Sequence, residues 1–321
     1  MGEFELIREY FARQPVRRAD VAVGIGDDAA VLDPPAGCQL AVSADMLVAG
    51  VHFPQDTAPA AVGYKALAVN LSDLAAMGAS PAWFTLNISL PRADSSWLEG
   101  FSGGLFALAG PYGLQLVGGD TTRGPLTVGI QITGFVPSGQ ALLRSGARVG
   151  DGIYVTGPLG DAALGLMGLQ GGVSLSKAQR DHVIGRLERP VPRVREGAAL
   201  RGVASACIDI SDGLAADLGH VLAASGTGAR IELEALPLSP VYQSLQEQVG
   251  WGPAVSGGDD YELCFTVPPS RQSRLKALAD ELGCRLWRIG AVEAQPGLRL
   301  IEPSGAMYRP NVPGFNHFSA P

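Results

Sequence analysis

Six short aspartate segments, most of them set against an apolar run, punctuate this chain. They read Gly26-Asp27-Asp28-Ala29, Ser43-Ala44-Asp45, Asn70-Leu71-Ser72-Asp73, Gly118-Gly119-Asp120-Thr121, Asp209-Ile210-Ser211-Asp212-Gly213 and Gly257-Gly258-Asp259-Asp260. A carboxylate resists burial, so these segments are expected where strands end or helices begin. The flanking glycines let the backbone turn sharply and approach a ligand closely. Carboxylates gathered in such turns repel one another unless a cation joins them. Hard divalent cations take oxygen ligands, and Mg²⁺ commonly shares its shell with substrate phosphates. The pattern therefore predicts a site for metal-bound phosphate.

Between these points the periodicity alternates between strand and helix. Helical spacing predicts helices over 4–13, 58–77, 95–109, 161–169, 176–187, 193–201, 214–224, 240–249 and 271–282. Strands are predicted at 21–23, 40–42, 84–90, 114–117, 126–136, 152–156, 207–210, 230–233, 261–267 and 285–292, with a loop-rich tail from Pro296. Both Gly-Gly-Asp segments are expected as turns beside a strand. A Pro- and Gly-rich break falls near 137–151, and 321 residues suffice for about two domains. The expected fold class is α/β (mixed α+β), with domains at 1–147 and 148–321. Each half mixes strands and helices, which suggests two related modules.

Hydrophobic residues make up 46% of the chain and charged ones only 17%, which indicates packed cores. The net charge of −7, with no basic run beyond Arg17-Arg18, argues against a nucleic-acid surface. The longest uncharged stretches are broken by Gly and Pro, so no membrane span is expected. The start, Met1-Gly2-Glu3-Phe4-Glu5, is acidic and does not read as a signal peptide. Cys38, Cys207, Cys264 and Cys284 form no C-x-x-C pair. Buried reduced thiols in a cytoplasmic protein are expected.

Gly24-Ile25-Gly26-Asp27-Asp28-Ala29 partly matches a dinucleotide-binding loop. Such a loop must open a helix, and Asp33-Pro34-Pro35 prevents one here. No P-loop and no protein-kinase signature is present. Asp73 is the sharpest single case. It lies near the end of a helical stretch without other charges, where its carboxylate opposes the macrodipole. An ordinary helix-end aspartate explains it less well than a metal ligand does. Asp212-Gly213 opens a helix whose N-terminus can receive an anion. Simple capping by Ser211 or Asp212 is the alternative, but it leaves Asp209 unexplained. Among the histidines, His182 and His220 are expected on helix surfaces without special roles. His317 lies in the tail, and His52, seven residues after Asp45, can face the same cleft. Neither a Ser-His-Asp order nor H-E-x-x-H occurs.

Taken in order, these segments resemble the thiamine-monophosphate kinase family. The matching runs are 24–31, 43–53, 64–83, 118–125, 143–146 with 150–157, 209–219 and 256–265. The resemblance implies a two-domain subunit of the aminoimidazole ribonucleotide synthetase-like type. It also implies a homodimer whose N-terminal domains pair their sheets into a β-barrel. The implied reaction is ATP-dependent phosphorylation of thiamine monophosphate to thiamine diphosphate by direct in-line transfer, assisted by several Mg²⁺ ions. Asp28, Ser43, the Ala44 backbone, Asp45, Asp73, Asp120, Asp209 and Asp212 match the family's metal positions. Asp28, Asp45, Asp73, Asp120 and Asp212 are the implied catalytic set. Gly119, Asp120, Arg144 and Ser211 match ATP contacts, and His52, Asp259 and Phe315 match contacts to thiamine monophosphate. Asp259 stands where Glu is often found, and Phe315 where Tyr often stands. Selenophosphate synthetase is disfavoured because the first cysteine is Cys38. Aminoimidazole ribonucleotide synthetase is disfavoured by the runs 43–53 and 256–265. A non-catalytic maturation protein is disfavoured by retention of all six aspartate segments.

Overall fold

The computed structural model describes residues 2–14, 17–311 and 314–315. His317 and its neighbours lie outside the described residues. The chain divides into two compact units, one of Met1–Leu74 with Ala79–Gly139, the other of Ala75–Gly78 with Gln140–Pro321.

The first unit begins with α1 (Glu3–Leu6), which runs into a single π-turn at Ile7–Phe11. A small antiparallel pair follows, β1 (Val21–Val23) with β2 (Val31–Leu32). The main sheet has four strands in the order β3 (Cys38–Val48), β6 (Thr127–Pro137), β4 (Ser80–Leu90), β5 (Gln115–Arg123). All pairs are antiparallel except β4 with β5. Helices α2 (Pro59–Ala76) and α3 (Ser95–Ala109) supply the apolar cover. Leu67, Leu71 and Leu74 of α2 and Leu98, Phe101 and Leu105 of α3 are buried with Val128, Ile130 and Ile132 of β6. Gly63 and Gly104 let the two helices cross closely. A Cβ on Gly63 would overlap the Phe101 carbonyl, and one on Gly104 would overlap that of Ala60. Asp94 caps α3 by accepting the Trp97 N–H at 3.1 Å.

The second unit carries a seven-stranded sheet in the order β13 (Met307–Tyr308), β12 (Gly297–Ile301), β9 (Gly228–Glu232), β11 (Trp287–Glu293), β7 (Gly152–Val155), β10 (Leu263–Val267), β8 (Ala206–Asp209). Strands β7 and β10, and β8 at the sheet's edge, are buried along their whole length. That accounts for their continuous apolar runs, in place of an alternating pattern. The helices are α4 (Asp161–Leu169), α5 (Lys177–Glu188), α6 (Val194–Leu200), α7 (Leu214–Ser225), α8 (Pro240–Val249), α9 (Gly252–Ser256) and α10 (Gln272–Leu282). Ile153, Val155, Ile208, Leu214, Leu218 and Tyr242 belong to one buried core.

Three expectations are corrected. Gly118-Gly119-Asp120 is not a turn but lies within β5, opposite Thr85, Leu86 and Asn87 of β4. The glycines permit this because Gly119 has φ +141 and crowds the Leu86 carbonyl, beside a register shift at Phe84/Thr85. The tail from Pro296 is not simply loop. It adds β12 parallel to β9, and β13 beyond it. His182 is not an idle surface residue: its Nε2 lies 2.9 Å from Oδ2 of buried Asp161, whose Oδ1 accepts the Ser239 hydroxyl at 2.6 Å. Cys38, Cys207, Cys264 and Cys284 are all free thiols. Among the described residues, no helix is long and apolar enough to cross a membrane.

Candidate active site

In the first unit, alternation along β3 turns Ser43, Asp45 and Leu47 to one face, opposite Ile132, Ile130 and Val128 of β6. On that face the Ser43 hydroxyl donates to Oδ2 of Asp73, on the last turn of α2. Asn70, one turn earlier, accepts the Asp45 N–H at 3.2 Å and donates to the Ala66 carbonyl at 2.9 Å. Asn70 is buried, and so is Lys65, whose Nζ lies 3.4 Å from the His52 carbonyl. The Nδ1 of His52 accepts the Val48 N–H at 2.9 Å, fixing the ring at the turn after β3. Asp45, Asp73 and His52 are thus held by neighbours along β3 and α2.

Asp27, Asp28, Gly119 and Asp120 line a different part of the same unit, a cleft of about 600 Å³. Phe4, Ile7 and Phe11 supply an apolar wall, and Thr85 and Thr121 also border it. The Gly26 turn that presents the two aspartates has φ +127, a conformation glycine tolerates best.

In the second unit, Asp209 ends β8 and is buried. The chain then turns through Ser211-Asp212-Gly213 into α7. The N-cap is Gly213 at φ +112, and no side chain caps the helix there. The capping explanation for Ser211 and Asp212 therefore does not apply. Instead Asp217, inside α7, reaches back: its Oδ2 accepts the N–H groups of Ser211 and Asp212, each at 3.0 Å. Burial pushes the Asp217 carboxyl up to about 7, with the nearby Asp212 charge adding to the rise.

The Gly257–Tyr261 loop lies alongside. The Asp259 N–H donates to the Ser211 carbonyl at 2.9 Å, and the Tyr261 N–H to Ile210 at 2.8 Å. A Cβ on Gly258 would overlap the Ser211 carbonyl. The Phe315 N–H donates to the Asp212 carbonyl at 3.1 Å, while the residue is 52% exposed. The Phe315 side chain therefore stands at the surface while its backbone is tied to the Asp212 turn. Ser211, Asp212, Asp259 and Phe315 are brought together in this unit. Arg144 is exposed in the loop before β7, where its carbonyl accepts the Ser225 hydroxyl at 3.4 Å.

Beneath the loop, Glu262 is fully buried and accepts four hydrogen bonds. Arg193 donates two at 2.6 Å, Arg186 one at 2.8 Å and Thr156 one at 2.7 Å. Neighbouring Asp260 is also buried and accepts the Gly160 N–H, and burial drives its carboxyl well above the usual range. Asn70, Asp217, Tyr261 and Glu262 are supporting residues that the sequence does not single out. Asn70 stood inside a quoted segment, and Glu262 was a charge in an otherwise apolar strand run. Asp217 carried no signal beyond its place in the first turn of a helix.

Among the described residues, no three His, Cys, Asp or Glu side chains are gathered as a ready metal cage. The donor chemistry nonetheless fits Mg²⁺, because the side-chain donors are carboxylate and hydroxyl oxygens. Mg²⁺ characteristically takes one or two carboxylates and completes its shell with water and phosphate.

The family profile described as AIR synthase related protein, N-terminal domain, matches residues 26–136, and the corresponding C-terminal domain matches 148–302. Thiamine-monophosphate kinases of Salmonella typhimurium and Escherichia coli K12 are each 50% identical to this chain, over 100% of it and 99% of their own length. This chain belongs to the thiamine-monophosphate kinase family. It is accordingly an enzyme of the kinase class, with the mixed α/β two-domain fold of its relatives. A crystal structure of the Stenotrophomonas maltophilia thiamine-monophosphate kinase is 47% identical, with a TM-score of 0.83 over 88% of this chain and 92% of that one. A ThiL chain solved with AMPPCP and TMP is 32% identical, with a TM-score of 0.78 over 92% of each chain. The hydrogenase maturation protein HypE of E. coli has a TM-score of 0.79 over 98% of this chain and 97% of its own, at 22% identity, and shares the fold.

Proposed function

We propose that this protein transfers the γ-phosphoryl group of ATP to the phosphate of thiamine monophosphate, giving thiamine diphosphate and ADP. The observation that carries this reading is the 50% identity, end to end, to thiamine-monophosphate kinases. The relative solved with AMPPCP and TMP supports both substrates. A hydrogenase-maturation role has only the 22% likeness in fold behind it.

A phosphate oxygen of thiamine monophosphate attacks the γ-phosphorus as the bond to the β-phosphate oxygen breaks. That oxygen is ionised at neutral pH, so the chain need not supply a strong base. Asp28, Ser43, Ala44, Asp45, Asp73, Asp120, Asp209 and Asp212 are the groups to hold Mg²⁺. When bound, the metal neutralises the mutual repulsion of the two phosphate anions. Ser43 and Asn70 keep Asp73 and the Asp45 backbone in place, so little reorganisation is needed during the reaction. Gly119 and Asp120 line the cleft, whose carboxylates would receive the ATP phosphates through bound Mg²⁺, and Arg144 and Ser211 add further ATP contacts. His52 serves the acceptor substrate. Asp259 accepts the exocyclic amine of its aminopyrimidine, and Phe315 offers a ring surface. A rapid-quench experiment with γ-labelled ATP tests the direct step. Label is expected to pass into thiamine diphosphate with no labelled protein at any time. A labelled protein formed and consumed at the turnover rate would contradict it.

The substrate assignment separates kinetically from a structural role. Asp259→Ala and Phe315→Ala are each expected to raise KM for thiamine monophosphate by roughly tenfold, as loss of one polar or stacking contact does. KM for ATP should stay within about twofold. Equal effects on both substrates, or a lowered melting temperature with unchanged KM, would favour a structural role.

We also propose a homodimer made through the first unit, its sheets completing a barrel. Leu40, Val42 and Met46 of β3 share one face and are 51%, 57% and 63% exposed. Such a row of apolar side chains on an edge strand is a liability unless covered, and a two-fold partner covers it. Sedimentation at micromolar concentration is expected to show about twice the 33.2 kDa of one chain, and Leu40→Asp to shift it toward monomer. A single-chain mass for the unaltered protein would contradict the dimer. The protein is expected in the cytoplasm.

A further inference from the structure

Among the described residues, the only two non-glycine residues with positive φ are Asp259 at +70 and Tyr261 at +50. They flank buried Asp260 in one loop. The left-handed region is unfavourable for any residue with a Cβ, and least expected of a bulky aromatic. Such backbone strain persists only where the surroundings over-determine it, and it concentrates where a ligand is clamped.

The surroundings here do over-determine it. Backbone bonds tie Asp259 to Ser211 and Tyr261 to Ile210, and the Ile210 N–H returns to the Glu262 carbonyl at 2.8 Å. Gly258 leaves no room to shift toward Ser211. The left-handed pair of turns swings Tyr261 back under its own loop. The residue is buried, at 8% exposure, and its hydroxyl donates to Oδ1 of Asp259 at 3.1 Å. A glycine or asparagine would suit the backbone better at position 261, yet neither could deliver a hydroxyl to that oxygen. The tyrosine ring is rigid, with two side-chain torsions, so a buried ring fixes where its hydroxyl sits.

We infer that Tyr261 is a positioning residue for the acceptor substrate: its hydroxyl holds the Asp259 carboxylate in the orientation that receives the substrate's exocyclic amine. This rests on the reading of Asp259 as a contact to that amine. One oxygen anchored to a rigid ring removes rotation of the carboxylate, so less freedom is lost when the amine binds. Tyr261 itself touches no substrate in this account.

Tyr261→Phe removes one oxygen and keeps the ring. It is expected to raise KM for thiamine monophosphate about fivefold, the scale of one ordinary net hydrogen bond. The kcat, KM for ATP and melting temperature should be nearly unchanged. The decisive comparison adds Asp259→Ala alone and the double variant. If Tyr261 acts through Asp259, the double variant matches Asp259→Ala. An analogue of thiamine monophosphate lacking the amine should bind Tyr261→Phe and the unaltered protein equally well. If Asp259→Ala raises KM but Tyr261→Phe does not, or if the two effects add in full, the positioning role is overturned and the substrate role of Asp259 stands. If Asp259→Ala itself leaves KM unchanged, the reading of Asp259 falls, and this inference with it.

Discussion

Asp73→Asn is expected to lower kcat by more than about a hundredfold while the protein stays folded, the scale seen when a charge-stabilising group is lost. The substitution keeps the size and planarity of the side chain. Its amide can still meet the Ser43 hydroxyl, so the tie between β3 and α2 need not break. What disappears is the negative charge. An amide oxygen is a weaker partner for a hard divalent cation than a carboxylate. Raising Mg²⁺ should recover part of the lost rate, because weakened affinity is offset by concentration. A helix-end aspartate without a catalytic part would give the opposite result. Removing its charge near the C-terminus of α2 would relieve an unfavourable dipole interaction and stabilise the protein slightly. Near-normal turnover of a folded, slightly more stable Asp73→Asn protein would therefore retire the assignment.

Glu262→Ala is expected to be the most destabilising single change in the second unit. The carboxylate is fully buried, and it holds two guanidinium groups that are themselves only 20% exposed. Removing one partner of a buried ion pair leaves uncompensated charge and typically costs ~3–5 kcal/mol. For a unit of this size that corresponds to a fall in melting temperature of roughly 6–20 °C. Glu262→Gln should cost less, since its carbonyl can still accept from Arg193. Denaturant unfolding followed by a probe in the second unit measures both. A loss below about 1 kcal/mol for Glu262→Ala would show that the pair contributes little. The consequence for function runs through the chain itself, because Glu262 immediately follows the loop that carries Asp259 and Tyr261.

Much of this architecture was legible in the sequence because local signals and burial agree. α3, α4 and α8 fall where helical spacing places them. β6 shows the alternation of a strand with one buried face. The sequence predicts only three residues of β3, which spans eleven, since its outer face carries Leu40, Val42 and Met46 and the polar residues lie inside with Asp45 and Asp73. That inverts the usual pattern of apolar-in and polar-out. β12 leaves little signal in the sequence because it is short, opens on the glycine of a Pro-Gly pair and depends on its partner β9. The aspartate segments were conspicuous because carboxylates between apolar runs require a reason. Their supports were not, because Asp217 and Tyr261 acquire meaning only from the turns they touch. The Gly-Gly-Asp segment of β5 resembles a turn in sequence for a related cause. Glycine signals backbone freedom, but whether that freedom makes a turn or a bulge is decided by the neighbouring strand.

The transfer itself is the central claim. Purified protein incubated with ATP, Mg²⁺ and thiamine monophosphate, with products resolved by phosphorus NMR, tests it most directly. Thiamine diphosphate and ADP are expected in one-to-one yield, dependent on both the metal and the acceptor. ADP and free phosphate without thiamine diphosphate, or no consumption of ATP at saturating substrate, would contradict it.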